Sequence, residues 1–321
     1  MTKYKVDFLD LVIIRSCQLS CEGCCTFSDH REINGLVDVE ESREAVKFWS
    51  QYIEPTRVHL FGGEPTMHPQ LIDWFRLARE SWPQSQPIWL NSNGYLLDKI
   101  FDHVKELFVD NISAVSVTSH TLEEPYYSNV LNNYQRLQDL ILEEYQKKFQ
   151  KSTFSWQSGD KGWDSDYKKF SVLVDENGTN ISMLNITHQH SDHFVPHYQG
   201  HGATLKPWHE YDNAIAKNFN HQVCHIKNYV QLYKGRLYKC PPIGVLNQTL
   251  ETYNLQSTEA WDKYYSQYES LGTDATEAEI DAWFTQQRAP ENVCNMCGFF
   301  GGTRIPTQQH LPKKLFKLKR A

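Results

Sequence analysis

The stretch that decides the fold is FLDLVIIRSCQLSCEGC, residues 8–24. An apolar, strand-like run leads directly into a loop with cysteines in the spacing C-x3-C-x2-C, at Cys17, Cys21 and Cys24. Three thiolates this close in sequence can bind three corners of a cubane iron–sulfur cluster and leave the fourth iron open. An open iron favours catalysis, because a structural metal site normally closes its coordination with a fourth residue.

Outward from this stretch, residues 7–118 alternate short apolar runs with longer amphipathic segments. The runs have the length of strands, and the segments have the helical period of apolar residues. Strands joined by helices of crossover length predict a parallel sheet with helices outside it, an α/β fold. After the first strand, the pattern predicts helices at 39–53, 70–80 and 96–108 and strands at Arg57–Phe61, Ile88–Leu90 and Ile112–Val117.

Three turns follow successive strands of this predicted sheet. They are the cysteine loop, the turn GGEP at residues 62–65 and the turn NSNG at residues 91–94. The carboxyl ends of parallel strands meet at one edge of a sheet, and functional loops gather there. We therefore expect the three turns to lie together.

The cysteine spacing, GGEP and the Asn-Gly turn resemble the radical S-adenosylmethionine (radical SAM) superfamily, in that order and at comparable distances. The resemblance implies a partial (β/α)6 parallel barrel over residues 5–215. It also implies that Cys17, Cys21 and Cys24 hold a [4Fe–4S] cluster whose open iron is chelated by S-adenosylmethionine. Reductive cleavage of that cofactor gives a 5′-deoxyadenosyl radical.

The same resemblance assigns the methionine amino group of the cofactor to the GGEP turn. It implies that Gly62, Gly63, Glu64 and Pro65 wrap this group, with the glycines letting the backbone approach and Glu64 among the nearby acceptors. From the residues alone, a tight turn at positive φ is the other interpretation of the two glycines.

Three further residues are expected near the cofactor. The resemblance places Asn91 and Ser92 near the methionine carboxylate or the ribose, and it places Ser116 in contact with the cofactor from the fourth strand. An Asx turn for the first two and a plain strand position for Ser116 remain open.

Composition narrows the class of protein. The chain has 321 residues, 40% hydrophobic, and a formal net charge of -7. The acidic balance argues against nucleic-acid and membrane-surface binding, and no run approaches the roughly 18 apolar residues that cross a bilayer. The amino terminus has no signal-peptide pattern, so we expect a cytoplasmic protein. The acidic net charge favours a small polar substrate.

The eight cysteines fall into two groups, within residues 17–25 and 224–297. A long chain with few cysteines and no export signal favours thiolate metal ligation over disulfides. Cys25 directly follows the third expected ligand. We expect a small buried residue there, although a competing ligand or a thiol beside the cofactor remains open.

The second group combines a hairpin with a C-x2-C pair. Residues 229–238 predict a β-hairpin that turns at 234–235. The four thiolates can close a cubane cluster or a tetrahedral zinc site. The arrangement resembles the twitch or SPASM auxiliary-cluster domains of radical SAM enzymes, which implies a small C-terminal domain over 216–305 with a second [4Fe–4S] cluster, followed by a basic tail at 306–321. Its expected ligands are Cys224, Cys240, Cys294 and Cys297.

The middle of the chain is less informative. Residues 126–150 predict a helix, and 168–174 with 181–187 predict either strands five and six or a hairpin across 176–178. A histidine-rich tract then runs from residue 188 to residue 209. Its first members, His188 and His190, lie just beyond an apolar run and are our candidate catalytic residues; a metal site and a polar surface loop are the alternatives.

These expectations combine into one functional hypothesis. A radical SAM enzyme would abstract hydrogen from a small polar substrate, such as a sugar, an aminocyclitol or a nucleotide-like molecule, for oxidation or deoxygenation. It would need an external electron donor such as flavodoxin or ferredoxin. Radical maturation of a peptide or protein is the alternative activity, and a non-catalytic iron–sulfur or zinc-binding module is the alternative of another class.

Overall fold

A computed structural model of the chain describes residues 3–21, 23–30, 32–111, 113–148, 152–158, 168–176, 179–182, 186–190, 193–208, 214–224, 227–265, 268–298 and 305–306. His209 and all but the first residue of the predicted tail lie outside these ranges. Among the described residues, no helix combines the length and the apolar character needed to cross a bilayer.

Ten strands form one sheet. They are β1 (Tyr4–Ile14), β2 (Ile53–Gly62), β3 (Ile88–Ser92), β4 (Ser113–Ser119), β5 (Ser152–Ser158), β6 (Lys168–Glu176), β7 (Thr179–Ser182), β8 (Ile186–His190), β12 (Tyr229–Tyr233) and β13 (Arg236–Tyr238). Four strands of two residues lie outside it: β9 (His193–Phe194), β10 (Tyr198–Gln199), β11 (Lys206–Pro207) and β14 (Ile305–Pro306). The order in the sheet is β13-β12-β1-β2-β3-β4-β8-β6-β5, with β7 paired to β6.

The central strands are parallel, as the sequence predicts. Strands β12, β1, β2, β3, β4 and β8 are neighbours in this order, and every pair among them is parallel. The α/β class with a mostly parallel sheet is therefore confirmed. The strand beside β1 comes from the C-terminal part of the chain.

That strand, β12, belongs to the predicted hairpin. It pairs antiparallel with β13, and the turn residues Lys234 and Gly235 have φ of 48° and 78°, as a two-residue hairpin turn requires. Because β12 also pairs with β1, the sheet crosses the domain boundary expected at residue 215. The separate auxiliary domain remains a prediction, and its hairpin is part of the main sheet.

Residues 152–190 depart from the expected alternation of strands and helices. Strand β6 is antiparallel to β5, β7 and β8, so the hairpin alternative describes 168–182. Of these strands, β8 continues the parallel set, beside β4. Short strands joined by short loops leave no room for a crossover helix, which a parallel connection needs.

Seven α-helices are described: α1 (Val39–Tyr52), α2 (Leu71–Ser81), α3 (Tyr126–Lys148), α4 (Ala214–Val223), α5 (Pro241–Tyr253), α6 (Glu259–Tyr265) and α7 (Glu277–Gln287). Helix α1 begins where the Asp38 carboxylate accepts hydrogen bonds from Glu40 N and Glu41 N, at 2.8 and 3.1 Å. The segment predicted as one helix at 96–108 is instead a 3-10 helix (Leu97–His103) followed by a π-helix (Lys105–Asp110). The sequence pattern predicted a helical segment here but not its hydrogen-bond register.

The two faces of the sheet have different partners. Leu11 of β1 and Leu232 of β12 line one small cavity together with Val46 and Trp74 of helices α1 and α2. The helices therefore cover the face that these leucines share. Along a strand, alternate residues point to opposite faces, so Asp10, the neighbour of Leu11, lies on the other face. The residues aligned with Asp10 on the adjacent strands, Gln231 and His59, share that face. We call that second face the inner face.

Candidate functional site

The cysteine loop leaves the carboxyl end of β1 and turns at Gly23. Gly23 has φ of 74°, a conformation that favours glycine. Cys24 N donates to Cys21 O at 3.2 Å, and Phe27 N donates to Cys24 O at 2.9 Å. These turns hold the loop compactly over the end of the strand.

The thiols of this loop influence one another electrostatically. Burial raises the pKa of Cys17, and Glu64 and Cys24 raise it further; burial also raises the pKa of Cys21, with Cys24 and Cys17 adding to it. The three sulfurs therefore lie in one buried region. Buried thiolates need nearby positive charge, and iron supplies it when a metal group binds.

The donor set fits a cluster better than a single ion. Within the part of the chain that the structure describes, no three His, Cys, Asp or Glu side chains are close enough to share one metal ion. In a cubane cluster each thiolate binds a different iron, so its sulfurs need not converge on one point. Two donors also reach the Cys17 sulfur, Leu19 N at 3.4 Å and Asn93 Nδ2 at 3.7 Å, and such hydrogen bonds tune cluster sulfurs.

The GGEP turn packs directly against the backbone that precedes the first cysteine. Gly63 N donates to Ile14 O at 2.8 Å, and Glu64 N donates to Ser16 O at 2.9 Å. A Cβ atom on Gly62 would lie 2.0 Å from Ile14 O, and one on Gly63 would lie 2.2 Å from Ser16 O. Both positions therefore require glycine, because the turn must approach the neighbouring strand this closely.

The Glu64 carboxylate is fully buried and is occupied by the protein's own donors. Its Oε1 accepts from Thr66 N at 3.1 Å, Thr66 Oγ1 at 2.6 Å and Ser92 Oγ at 2.8 Å. Its Oε2 accepts from Asn93 N at 2.7 Å. Burial raises the pKa of Glu64, whereas these donors lower it. Glu64 thus connects the GGEP turn to the turn after β3.

Asn93 completes the connection between the three turns, and the sequence analysis did not single it out. Its Oδ1 accepts from Gln18 Nε2 at 2.8 Å, and its Nδ2 donates to the Cys17 sulfur. Its backbone carbonyl accepts from Tyr126 OH at 2.8 Å. The motif NSNG indicated a turn, but only the fold distinguishes the asparagine that faces the cysteine loop.

The other expected cofactor contacts occupy different positions. The Ser92 hydroxyl accepts from Gly94 N at 3.0 Å while it donates to Glu64. The Asn91 side chain lies against His59 of β2, with 3.4 Å between Asn91 Nδ2 and His59 Nδ1. Ser116 pairs with Asn91 in the register of β3 and β4 and is half-buried. Contact of these side chains with S-adenosylmethionine remains a prediction.

Cys25 lies beside the loop but faces different surroundings. Burial raises its pKa strongly, and Cys24 and Asp10 raise it further. Burial raises the pKa of Cys17 and Cys21 in the same way, so the pKa does not distinguish Cys25 from the expected ligands. Its proximity to Asp10 places Cys25 between the cysteine loop and the inner face of the sheet.

Arg15 links the cysteine loop to helix α5, and the sequence analysis missed this residue. Its guanidinium is almost fully buried and donates to Thr26 O at 3.2 Å, Val245 O at 3.3 Å and Gln248 Oε1 at 3.1 Å. Helix α5 begins at the second group of cysteines, since Cys240 is its N-cap. One buried cation therefore holds the two cysteine-bearing regions against each other.

The second group of cysteines also comes together. Burial raises the pKa of Cys240, and Cys224 and Cys294 raise it further. Cys297 N donates to Cys294 O at 3.3 Å, and Asn220 Nδ2 donates to both carbonyls, at 2.8 Å to Cys294 and 3.0 Å to Cys297. Helix α4 thus fixes the C-x2-C turn near Cys240, and the donor set suits either a cluster or zinc.

A buried lysine precedes Cys240. Lys239 Nζ donates to Ala289 O and Glu291 Oε1, each at 2.8 Å, and also to Gln287 O. Its positive charge partly offsets the rise in the pKa of Cys240 and Cys294 that burial causes. The pair with Glu291 anchors the segment after α7 beside the cysteines.

The structure places the first histidines of the tract by backbone register alone. In backbone register His188 pairs with Val117 and His190 with Ser119. Neither histidine is therefore aligned across the sheet with Asn91 and Ser116. Farther along the tract, the His201 ring stacks on the buried His30 ring at 4.6 Å. A catalytic role for His188 and His190 remains a prediction.

Comparison with known proteins identifies the class. Residues 11–149 match the model of the radical SAM superfamily. These residues, less than half of the chain, therefore carry a radical SAM domain, the kind of domain that binds a [4Fe–4S] cluster and S-adenosylmethionine.

Individual relatives are more distant. The GTP 3′,8-cyclase of Chlorobaculum tepidum is 24% identical over 125 residues, covering 39% of this chain and 36% of the cyclase. The chain thus spans about a third of the length of this curated relative. The structure of anSMEcpe with bound AdoMet is similar over 43% of this chain and 41% of its own, with 18% identity and a TM-score of 0.33. That of BtrN with AdoMet and 2-DOIA covers 92% and 94%, with 13% identity and a TM-score of 0.46.

Proposed function

We propose that this enzyme uses a radical derived from S-adenosylmethionine to abstract hydrogen from a small polar substrate, which it oxidises or deoxygenates. When bound, the cluster and S-adenosylmethionine supply a 5′-deoxyadenosyl radical. Cys17, Cys21 and Cys24 hold the cluster. The residues of the chain position the cofactor and exclude competing reactions.

One observation carries this proposal: the three turns are hydrogen-bonded to one another around the Cys17 sulfur. Glu64 and Asn93 connect GGEP to the turn after β3, and Asn93 reaches the sulfur. These hydrogen bonds run between the chain's own groups, so in this proposal they preorganise the binding site for the methionine part of the cofactor. Preorganisation of this kind lowers the cost of ordering a site when the ligand binds.

In this proposal the backbone of the GGEP turn surrounds the methionine amino group. The side-chain acceptors of Glu64 serve Thr66, Ser92 and Asn93, so we assign Glu64 to positioning the turn. Asn91, Ser92 and Ser116 remain the proposed neighbours of the ribose or the methionine carboxylate.

A second [4Fe–4S] cluster on Cys224, Cys240, Cys294 and Cys297 is part of the proposal. The link from Arg15 to helix α5 supports it, because a rigid connection keeps two metal groups at a fixed separation. A one-electron donor such as flavodoxin or ferredoxin reduces the first cluster. The acidic net charge of -7 and the polar residues of the inner face support a small polar substrate rather than a nucleic acid.

Anaerobic reconstitution followed by reduction in the presence of S-adenosylmethionine tests the activity. We expect 5′-deoxyadenosine by mass spectrometry, and about eight irons and eight sulfides per chain. About four irons with one zinc would assign the second site to zinc instead. An intact first cluster that releases no 5′-deoxyadenosine would contradict the proposed function.

Two neighbouring cysteines provide a matched pair of variants. C21S removes an expected ligand and should abolish both the first cluster and 5′-deoxyadenosine formation. C25S changes the adjacent thiol, which lies outside the C-x3-C-x2-C spacing, and should keep the iron content of the wild type. Loss of iron in C25S would instead make Cys25 a ligand.

A further inference from the structure

A polar row crosses the inner face of the sheet. It consists of Gln231 on β12, Asp10 on β1 and His59 on β2, which are aligned in register, with Asn91 on β3 beside His59. The exposed fractions of Gln231, Asp10 and His59 are 0%, 2% and 8%. Strands in the middle of a parallel sheet are usually apolar on both faces, because buried polar groups cost free energy. Three adjacent strands here carry such groups at the same level.

The row fixes the protonation pattern of His59. Its Nδ1 lies 3.1 Å from Asp10 Oδ1. A carboxylate can only accept, so this contact, which is shorter than the 3.4 Å between Asn91 Nδ2 and the same nitrogen, places the proton on Nδ1 and leaves the lone pair of a neutral ring on Nε2. Among the described residues, none hydrogen-bonds His59 Nε2. Within the described part of the chain, His59 is thus an oriented base with an open acceptor at Nε2.

Aromatic side chains close one side of the row. Phe8, Arg57, Trp89 and Tyr229 each precede a member of the row by two residues on their strands. The Phe8 ring stacks on Tyr229 at 4.2 Å, and the Arg57 guanidinium lies 5.5 Å from the Phe8 ring and 5.1 Å from the Trp89 ring. Because the strands are parallel, this layer lies on the amino-terminal side of the row.

The carboxyl-terminal side leads to the three turns. His59 precedes Gly62 by three residues, which is about 10 Å along an extended strand. The row therefore lies about 10 Å below the level of the GGEP turn. Cys25, near Asp10, lies along the same interval.

A second polar group in the row lacks a partner. Both amide atoms of Gln231 are buried without a hydrogen-bond partner among the described residues. Its Oε1 lies close to Gly244 of α5, where a Cβ atom would meet it at 1.7 Å. Helix α5 therefore covers Gln231, and the acceptor that the row presents is His59, which keeps 8% of its surface exposed.

We propose that His59 Nε2 accepts a hydrogen bond from a hydroxyl group of the substrate, and that Asp10 is the positioning residue that holds His59 in this tautomer. The substrate is then a small molecule that carries a hydroxyl group, bound between the polar row and the three turns. This inference rests on the proposed function, since it specifies the substrate class of the same site.

The first test measures the tautomer of His59. Long-range 15N–1H spectra of the reconstituted, oxidised protein report which ring nitrogen carries the proton, and loss of one signal set in H59Q assigns it. We expect the Nδ1–H form in the wild type and a shift towards the Nε2–H form in D10N. A proton on Nε2 of wild-type His59 would overturn the proposal, whatever the activity of the variants.

The second test follows hydrogen transfer from a mixture of metabolites, so the substrate need not be identified first. The reduced protein is incubated with S-adenosylmethionine and the small-molecule extract of cells grown in deuterated medium, and mass spectrometry measures deuterium in 5′-deoxyadenosine. Wild type and H103Q, a control at an exposed histidine, should give deuterated product. H59Q should lower its rate about tenfold, the loss equivalent to one hydrogen bond, while cofactor cleavage itself continues.

The outcomes separate the two proposals. No 5′-deoxyadenosine from any variant contradicts the proposed function. Equal deuterium transfer by H59Q and wild type overturns only the role of His59. Wild-type 5′-deoxyadenosine that carries no deuterium overturns the proposal that the substrate is a small molecule with a hydroxyl group, and this inference with it. If H59Q fails to fold, the shift in D10N assigns the His59 signals instead, and the tautomer measurement on the wild type still decides.

Discussion

Replacing Glu64 with glutamine tests whether the three turns are held together by the buried carboxylate. The Glu64 side chain accepts four hydrogen bonds, three at Oε1 and one at Oε2. Glutamine keeps only one acceptor oxygen. If that oxygen takes the Oε1 position, the amide nitrogen faces Asn93 N, and two buried donors oppose each other.

The structure sets the expected size of the effect. One lost hydrogen bond with a buried donor left unpaired costs about 1–3 kcal/mol, and the opposed amide donor adds a similar cost. Burying a carboxylate also costs free energy, and burial raises the pKa of Glu64 for this reason. The neutral glutamine avoids that cost, which offsets part of the loss in stability. We expect E64Q to lower the free energy of unfolding by about 2–3 kcal/mol.

Urea unfolding of the anaerobically purified protein measures the effect, together with the iron content after reconstitution. E44Q is the control, because the Glu44 side chain is 88% exposed and its change should stay within about 0.5 kcal/mol. Equal unfolding midpoints for E64Q and E44Q would refute the structural role of Glu64. If E64Q then bound S-adenosylmethionine more weakly, Glu64 would be a ligand contact instead.

Three further predictions concern other parts of the molecule. In G63A the new Cβ atom meets Ser16 O, so the turn must move away and lose two backbone hydrogen bonds; we expect about 2–4 kcal/mol of destabilisation in urea unfolding. K239M leaves the nearly buried Glu291 carboxylate without its cation and should cost about 3 kcal/mol and reduce metal content at the second site. Burial lowers the pKa of His30 from 6.5 to about 4, so the unfolded chain binds the extra proton between these values. The free energy of unfolding should therefore fall by up to about 3 kcal/mol as pH drops from 6.5 to 4, and H30Q should lose this pH dependence. The same pH dependence of the free energy of unfolding in H30Q and in the wild type would contradict this prediction.

Much of the central fold was predictable from the sequence because the relevant signals are local. The strand, helix and turn patterns of residues 7–118 indicated the parallel strands β1 to β4 and the position of each turn at a strand end. The hairpin turn at Lys234 and Gly235 was equally local, since few residue pairs adopt positive φ in succession.

The placement of the hairpin was not predictable in the same way. Strand β12 pairs with β1 across more than 200 residues of sequence, and no local pattern encodes that partner. Similarly, the apolar runs at 168–174 and 181–187 did not reveal whether they pair with each other or with the parallel set. Strand pairing depends on which edges the rest of the fold leaves open.

The candidate site shows the same division. The cysteine spacing and GGEP were readable because iron–sulfur ligation and close backbone approach restrict residue types strongly. Arg15, Asn93 and His59 were not, since their roles arise from contacts with residues far away in sequence. Their side chains have no distinctive spacing, so only neighbours in space give them meaning.

The sequence by itself therefore determined the chemistry that the first loop can support, the α/β class and the edge of the sheet where the loop lies. The tertiary structure decided how Glu64 and Asn93 join the three turns, how Arg15 connects the two cysteine groups, and which histidine faces an aligned carboxylate. The physical reason is the range of the interactions: spacing and backbone conformation act over a few residues, whereas burial and hydrogen bonding across strands exist only once the chain has folded.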